Sequence, residues 1–313
     1  MEGTGFSLHE QLVPWDRCSA VSKIMDIWVL LIPTMRVALY AAVIGVIGTF
    51  LFSGHFWKYQ SDRSRAYCSE LLQKLSMVGV LTSTALFFAV SGNMGGTFMS
   101  AFSPELLEIA LSSKAGIASI LGTGGFLLVI GKNKLDRIFP PLVTTFAVSG
   151  LLLWTFLVSG HAIKLGAFAQ ILLLFHLLGI AFWLGSLLPL KQMCECEEGD
   201  ELYEVAHNFG KLAVFYLLGL LVAGVTFAYL LIGDLALLVE TSYGNVFLVK
   251  LLVVSVLFSL GAYNKFVCVP KIKTDPTNGA LYLKKSIRIE LLAVALIFTI
   301  TSVLTTSVPL PMG

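Results

Sequence analysis

Apolar positions in this chain fall into eight long runs, at roughly 27–52, 75–98, 106–131, 141–160, 167–190, 210–233, 244–264 and 287–308. A helix of about 20 apolar residues spans a hydrocarbon layer of about 30 Å. The breaks between runs carry charge, Pro or Gly, as helix ends at a membrane surface do. The pattern predicts an all-α integral membrane protein, a polytopic bundle of about eight transmembrane helices. Residues 1–26 are polar and hold Glu10, Asp16, Arg17 and Lys23. They lack the basic start, apolar stretch and small-residue cleavage site of a signal peptide, so the first run is expected to act as an uncleaved signal.

Composition agrees. Of 313 residues, 57% are hydrophobic and 13% charged, with mean hydropathy +0.86. A soluble domain carries about 25% charge. The formal charge of +2 is too small to suggest a nucleic-acid partner. Five scattered cysteines, Cys18, Cys68, Cys194, Cys196 and Cys268, form no evenly spaced disulfide framework.

Basic residues set the orientation. Fifteen Lys and Arg, from Lys58 to Arg288, fall in one set of loops. The other side holds Arg17, Lys23, Lys114 and Lys164, and Arg36 and Lys250 lie inside runs. The rich side is expected to be cytoplasmic, with both termini extracytoplasmic. His9 and His161 then lie outside, His55 and His207 inside. His176 is about ten residues into its run, roughly 15 Å deep at 1.5 Å per residue.

An ionisable side chain at that depth faces a protein interior or a water-filled path and is a functional candidate. Imidazole ligates transition metals, copper included. His176 shares a helix face with Trp183, and Gly179 on that face admits a close neighbour. The bland alternative is a histidine hydrogen-bonded across helices. His161, at the outer mouth of the same path, is a second candidate. Met94 and Met99, in Ser91-Gly92-Asn93-Met94-Gly95-Gly96-Thr97-Phe98-Met99, offer thioethers suited to Cu(I), though Met is also common filler. Cys194 and Cys196 form a C-x-C pair in an acidic stretch, 194–201. Two thiolates there could hold Cu(I), but a solvated cytoplasmic loop is the simpler reading. Arg36 and Lys250 are near enough to the outer surface to snorkel. Glu290 beside Arg288, with Asn264 and Lys265 across from it, reads as a structural hydrogen-bond or ion cluster. Gly122-Thr123-Gly124-Gly125 is mid-span, with no strand before it, and reads as helix packing rather than a dinucleotide loop. No Walker A pattern and no nucleophile–base–acid set are present, which points away from ATP as direct energy source and from an enzyme.

Together these residues resemble the copper resistance protein D (CopD) family of bacterial inner-membrane proteins. The likeness rests on Ser159-Gly160-His161-Ala162, His176-Leu177-Leu178, Phe182-Trp183-Leu184-Gly185 and Leu188-Pro189-Leu190. It continues through Gly224, Tyr243-Gly244, Lys250, Tyr263-Asn264-Lys265-Phe266, Pro270, Arg288-Ile289-Glu290-Leu291 and Pro309. Over 27–140 a looser pattern is similar: Arg36, Gly48, Phe52 and Lys114-Ala115-Gly116. The resemblance implies eight helices and movement of copper across the cytoplasmic membrane, with import favoured. It also implies a partner of the CopC type, a periplasmic copper-binding protein. No such domain precedes the first run, so that partner would be a separate chain.

The expected organisation is an extracytoplasmic segment 1–26, spans 1–3 with their loops over 27–140, and a CopD-like region over 141–313. The expected metal residues are His161, His176, Met94, Met99, Cys194 and Cys196. Two other readings stay open: a haem-binding electron-transfer protein with histidine axial ligands, and a non-transporting membrane scaffold.

Overall fold

The structure is a computed structural model that describes residues 27–159, 165–197, 199–234 and 236–308, and every element among them is helical. The long elements are α1 (Ile27–Phe56), α2 (Asp62–Gly95), α3 (Pro104–Ser112), α4 (Lys114–Ile130), α5 (Pro141–Ser159), α6 (Ala167–Gly185) and α7 (Leu187–Cys196). They continue with α8 (Gly199–Ile232), α9 (Ser242–Tyr263), a π-helical turn (Asn264–Cys268), α10 (Val269–Thr274) and α11 (Pro276–Thr306). Seven helices or continuous helix pairs are long and apolar enough to cross a membrane, and α3 with α4 makes an eighth if counted as one span. Much of their apolar surface points outward. Phe215 is 75% and Leu292 72% exposed, which only a lipid surround makes favourable.

The third run departs from a single span. α3 and α4 meet at 81°. Ser113 takes extended backbone angles, its hydroxyl accepts from the Gly116 amide at 3.0 Å, and it thereby caps α4. Gly116 lets the bend close: a Cβ there would lie 1.9 Å from the Ala110 carbonyl oxygen. Only α4 is left to cross, about 25 Å long at 1.5 Å per residue.

The helices also overrun their apolar cores at the end that carries the basic loops. α2 begins at Asp62, α8 at Gly199 and α11 at Pro276, each more than ten residues before the apolar run starts. Hydropathy marks the lipid-embedded part alone. The extensions bury Cys68 and Leu71 on α2, Leu202 and Val205 on α8 and Leu283 on α11, and the last three share one core cluster with Ile272 of α10. Residues 194–201, expected as a solvated loop, are therefore almost wholly helical: α7 ends at Cys196 and α8 starts at Gly199. Two of their acids are engaged. Glu195 pairs with Lys284 at 2.8 Å and Lys191 at 3.8 Å. Glu197 accepts from the Ser61 amide at 3.0 Å, the Ser61 hydroxyl at 2.7 Å, and the Ser64 hydroxyl.

α1 is the axis of the bundle and packs on α2, α6 and α11. It meets α6 almost backbone to backbone. A Cβ on Gly48 would sit 2.4 Å from the Gly185 Cα, and one on Gly185 2.1 Å from the Ile44 carbonyl oxygen. The Ser186 hydroxyl seals the crossing by donating to the Gly48 carbonyl at 3.2 Å. At the opposite end of α1, the Ser302 hydroxyl on α11 donates to the Pro33 carbonyl at 2.8 Å. α6 and α8 are joined by Phe182 stacked on Tyr216, with ring centroids 4.1 Å apart.

Candidate functional site

Among the described residues, a larger and a smaller cavity lie along the bundle. The larger, about 1130 Å³, reaches the helix ends opposite the basic loops, where Asn93, Met94, Ser159 and Ser307 line it. His176 of α6 lines this cavity farther in, with Trp183 two turns along the same helix face. The space beside the ring is made by small residues. A Cβ on Gly179 would meet Leu220 Cβ at 2.9 Å, and one on Gly224 would meet His176 Nδ1 at 2.9 Å. These two glycines let α6 and α8 close on the imidazole.

His176 Nδ1–H donates to the Leu220 carbonyl oxygen at 3.4 Å. A carbonyl can only accept, so this bond assigns the hydrogen to Nδ1 and leaves the lone pair of the neutral ring on Nε2. Metal-binding histidines are commonly fixed in this way, one ring nitrogen donating to a backbone carbonyl and the other left to ligate. The cavity wall otherwise combines apolar surface with Tyr40, Tyr243, Arg36, Lys250 and Asp234. Arg36 and Lys250, expected to snorkel, thus face an internal space. The Tyr40 hydroxyl and the Thr305 hydroxyl lie 3.1 Å apart across it.

The other expected metal residues distribute unevenly. Met94 joins His176 on the same cavity. Met99, in a turn at Met99–Phe102, is 75% exposed and does not line it. His161 lies outside the described residues. Cys194 and Cys196 occupy the last turn of α7, and residues two apart on a helix do not face each other. The Cys194 thiol donates to the Leu190 carbonyl at 3.4 Å, and Cys196 Sγ accepts from Gln192 at 2.9 Å. No group of three or more His, Cys, Asp or Glu converges among the described residues.

The smaller cavity, about 250 Å³, lies toward the basic end and is lined by Asn264, Lys265 and Glu290. The residues that both cavities share are Trp183 and Phe258, whose rings stack 5.1 Å apart at 24°. This partition was not legible in the sequence, because Phe258 is one of 22 phenylalanines and only the fold sets it against Trp183.

Comparison with known proteins fixes the family. The profile of copper resistance protein D matches residues 203–304, and that of the copper resistance protein D-like N-terminal domain matches residues 25–171. The chain belongs to the copper resistance protein D family. It is a multi-pass protein of the inner membrane. "Inner membrane protein YebZ" of Escherichia coli (strain K12) is 25% identical over 248 residues, which cover 76% of this chain and 84% of that protein. No solved structure matches the chain. Parts of the larger cavity fall within the family profiles, with Arg36, Met94 and Ser159 in the first and Gly224 and Lys250 in the second, whereas His176 and Trp183 lie between the two.

Proposed function

We propose that this copper-resistance membrane protein carries copper through the outer cavity to His176 and on toward the cytoplasm. The observation that supports this reading most is the fixed His176 ring: a cavity-lining imidazole whose Nδ1–H is committed to the Leu220 carbonyl. Nε2 is then the ligating atom, and the Met94 thioether and His161 serve the mouth. Both are soft or borderline donors suited to Cu(I). The fifteen-to-four basic asymmetry orients the mouth and both termini outward, and import is favoured by analogy with the family. A separate periplasmic copper-binding protein of the CopC type would deliver the ion. Cys194 and Cys196 are not part of the path, because one helical turn holds them on different faces.

One feature favours a second reading. Arg36 and Lys250 place two fixed bases in a largely apolar cavity of about 1130 Å³ with one histidine. Bases of that kind repel a bare cation and suit the propionates of a haem held by His176.

His176→Ala separates the readings. Under the first, purified protein loses most of its bound copper, cells lose copper uptake, and the fold survives. Under the second, the wild type shows a Soret band that the variant lacks. Wild-type copper binding and uptake in His176→Ala, with no haem in either protein, reject both.

A further inference from the structure

The inner cavity holds a charge problem that neither cavity wall solves. Glu290 is 1% exposed. Asn264 Nδ2 donates to its Oε1 at 3.0 Å. Its Oε2 is buried with no hydrogen-bond partner, and so is Asn264 Oδ1. Two acceptor oxygens at one place both lack a donor. Among the described residues no ion pair joins Glu290 to a base. An ionised, half-satisfied carboxylate in apolar surroundings is strongly unfavourable.

The possible occupants are few. Hard divalent cations require six or more oxygens, and the Glu290 and Asn264 side chains offer three. Cu(I) prefers thioether, thiolate or imidazole over a carboxylate. A proton needs only one oxygen, cancels the charge, and turns Oε2 from an orphan acceptor into a donor. Asn264, the first residue of the π turn, is placed for this role by the irregular backbone, and π turns inside helices often mark functional sites.

The charged and titratable surroundings are sparse. α6, α7, α8, α9 and α10 bring apolar residues to the cavity, and the π turn brings Lys265. Cys268, at the end of that turn, interacts electrostatically with Glu290. Lys284 and Arg288 on α11 and Lys191 on α7 act on Glu195, one ionised group away from the cavity.

We propose that Glu290 is a proton-binding site at the floor of the inner cavity, positioned by Asn264 and separated from the copper cavity by the Trp183–Phe258 pair. The step is a transfer of one proton: the Oε2–H bond breaks to water on the cytoplasmic side, leaving the carboxylate, and reforms by uptake from water. What that proton is coupled to rests on the transport reading, in which copper movement through the neighbouring cavity is proton-linked. The site itself does not rest on it.

Two measurements separate the site from the coupling. The first is pH-difference infrared spectroscopy of the purified full chain in lipid nanodiscs, with 13C-labelled glutamate to assign the carboxylic C=O band. A glutamate band that disappears and returns with pH, and is absent in Glu290→Gln, is the expected result. A wild-type protein with no pH-responsive glutamic acid band overturns the site, whatever the variant does. Glu290→Asp should restore a shifted band if Glu290→Gln folds poorly. The second is copper uptake into proteoliposomes at fixed outer pH and varied inner pH. The wild-type rate should change severalfold, and the Glu290→Gln rate should stay flat. Equal pH dependence in both overturns the coupling. Absence of copper uptake in the wild type as well as the variant rejects the transport reading, and the infrared result still decides the site.

Discussion

The hydrogen on the Cα of Gly224 sets where the His176 imidazole can sit. A methyl group there would lie 2.9 Å from Nδ1 and 3.0 Å from Cε1, so Gly224→Ala pushes the ring away from the Leu220 carbonyl. Losing the group that orients a metal-binding histidine weakens affinity about 10- to 100-fold. We expect copper affinity of Gly224→Ala to fall into that range while the helical spectrum stays native. Gly219→Ala, with nothing within 4 Å of the added carbon, should bind copper normally and gain up to about 1 kcal/mol of helix stability. Equal binding in the two variants would remove Gly224 from the site. His176 itself is legible in the sequence, because an imidazole in an apolar run is conspicuous. Its partner is not, since the acceptor is the backbone carbonyl of Leu220 and one carbonyl looks like any other. The same holds for Glu290: its nearness to Asn264 can be read from helix ends, but the missing partner of Oε2 is a property of packing.

Among the elements, the crossing of α1 and α6 tolerates the least change. Gly48 and Gly185 meet with backbone atoms in the space a side chain would need, and small residues are what lets membrane helices approach so closely. Gly48→Ala or Gly185→Ala should therefore fail to accumulate as folded protein in membranes, or melt many degrees lower. Gly54→Ala on α1, with open space around it, should behave as wild type. A scanning thermal assay in detergent that found all three alike would show that the helices can separate at this point without loss. The junction of α7 and α8 carries a different lesson. Its run of acids reads as solvated loop because charge density is all a sequence shows locally. The structure ties Glu195 to Lys284 and Glu197 to Ser61 and Ser64, partners far away in the chain. Exposed pairs of this kind contribute up to about 1 kcal/mol each. The Glu197 cluster adds hydrogen bonds to a charged group, about 1.5–3 kcal/mol each. Replacing 194–201 by a shorter neutral linker should thus lower the yield of folded protein, whereas a double Cys194→Ser, Cys196→Ser variant should fold and carry copper normally. Wild-type yield with the short linker would return this segment to the status of a loop.

At the scale of the whole molecule, the eight apolar runs were readable because lipid demands about 20 apolar residues for each crossing, and the side-to-side charge bias was readable because it lies in short loops. The bend at Ser113 was hidden, since α3 and α4 are apolar on both sides of it. The orientation predicts that, in a cysteine-free background, a cysteine at Thr97 reacts with an impermeant maleimide in intact cells, while one at Lys134 reacts only after permeabilisation. Both positions are exposed; the reverse pattern would invert the molecule and put the His176 cavity mouth on the cytoplasmic side. The same orientation gives the Trp183–Phe258 stack its meaning. One cavity reaches the outer helix ends, the other lies toward the basic end, and these two rings are what they have in common. Neither cavity alone spans the bundle, so under the transport proposal a solute passes only when the rings part. Trp183→Ala removes the larger of the two and joins the spaces permanently, with Phe258 left unable to bridge the gap. In proteoliposomes this variant should conduct protons passively, several times faster than the wild type, with copper absent. Gly219→Ala serves as a control for reconstitution. A Trp183→Ala protein that folds and remains as tight as the wild type would mean that the barrier is made elsewhere, by the close-packed α1–α6 crossing rather than by the aromatic pair.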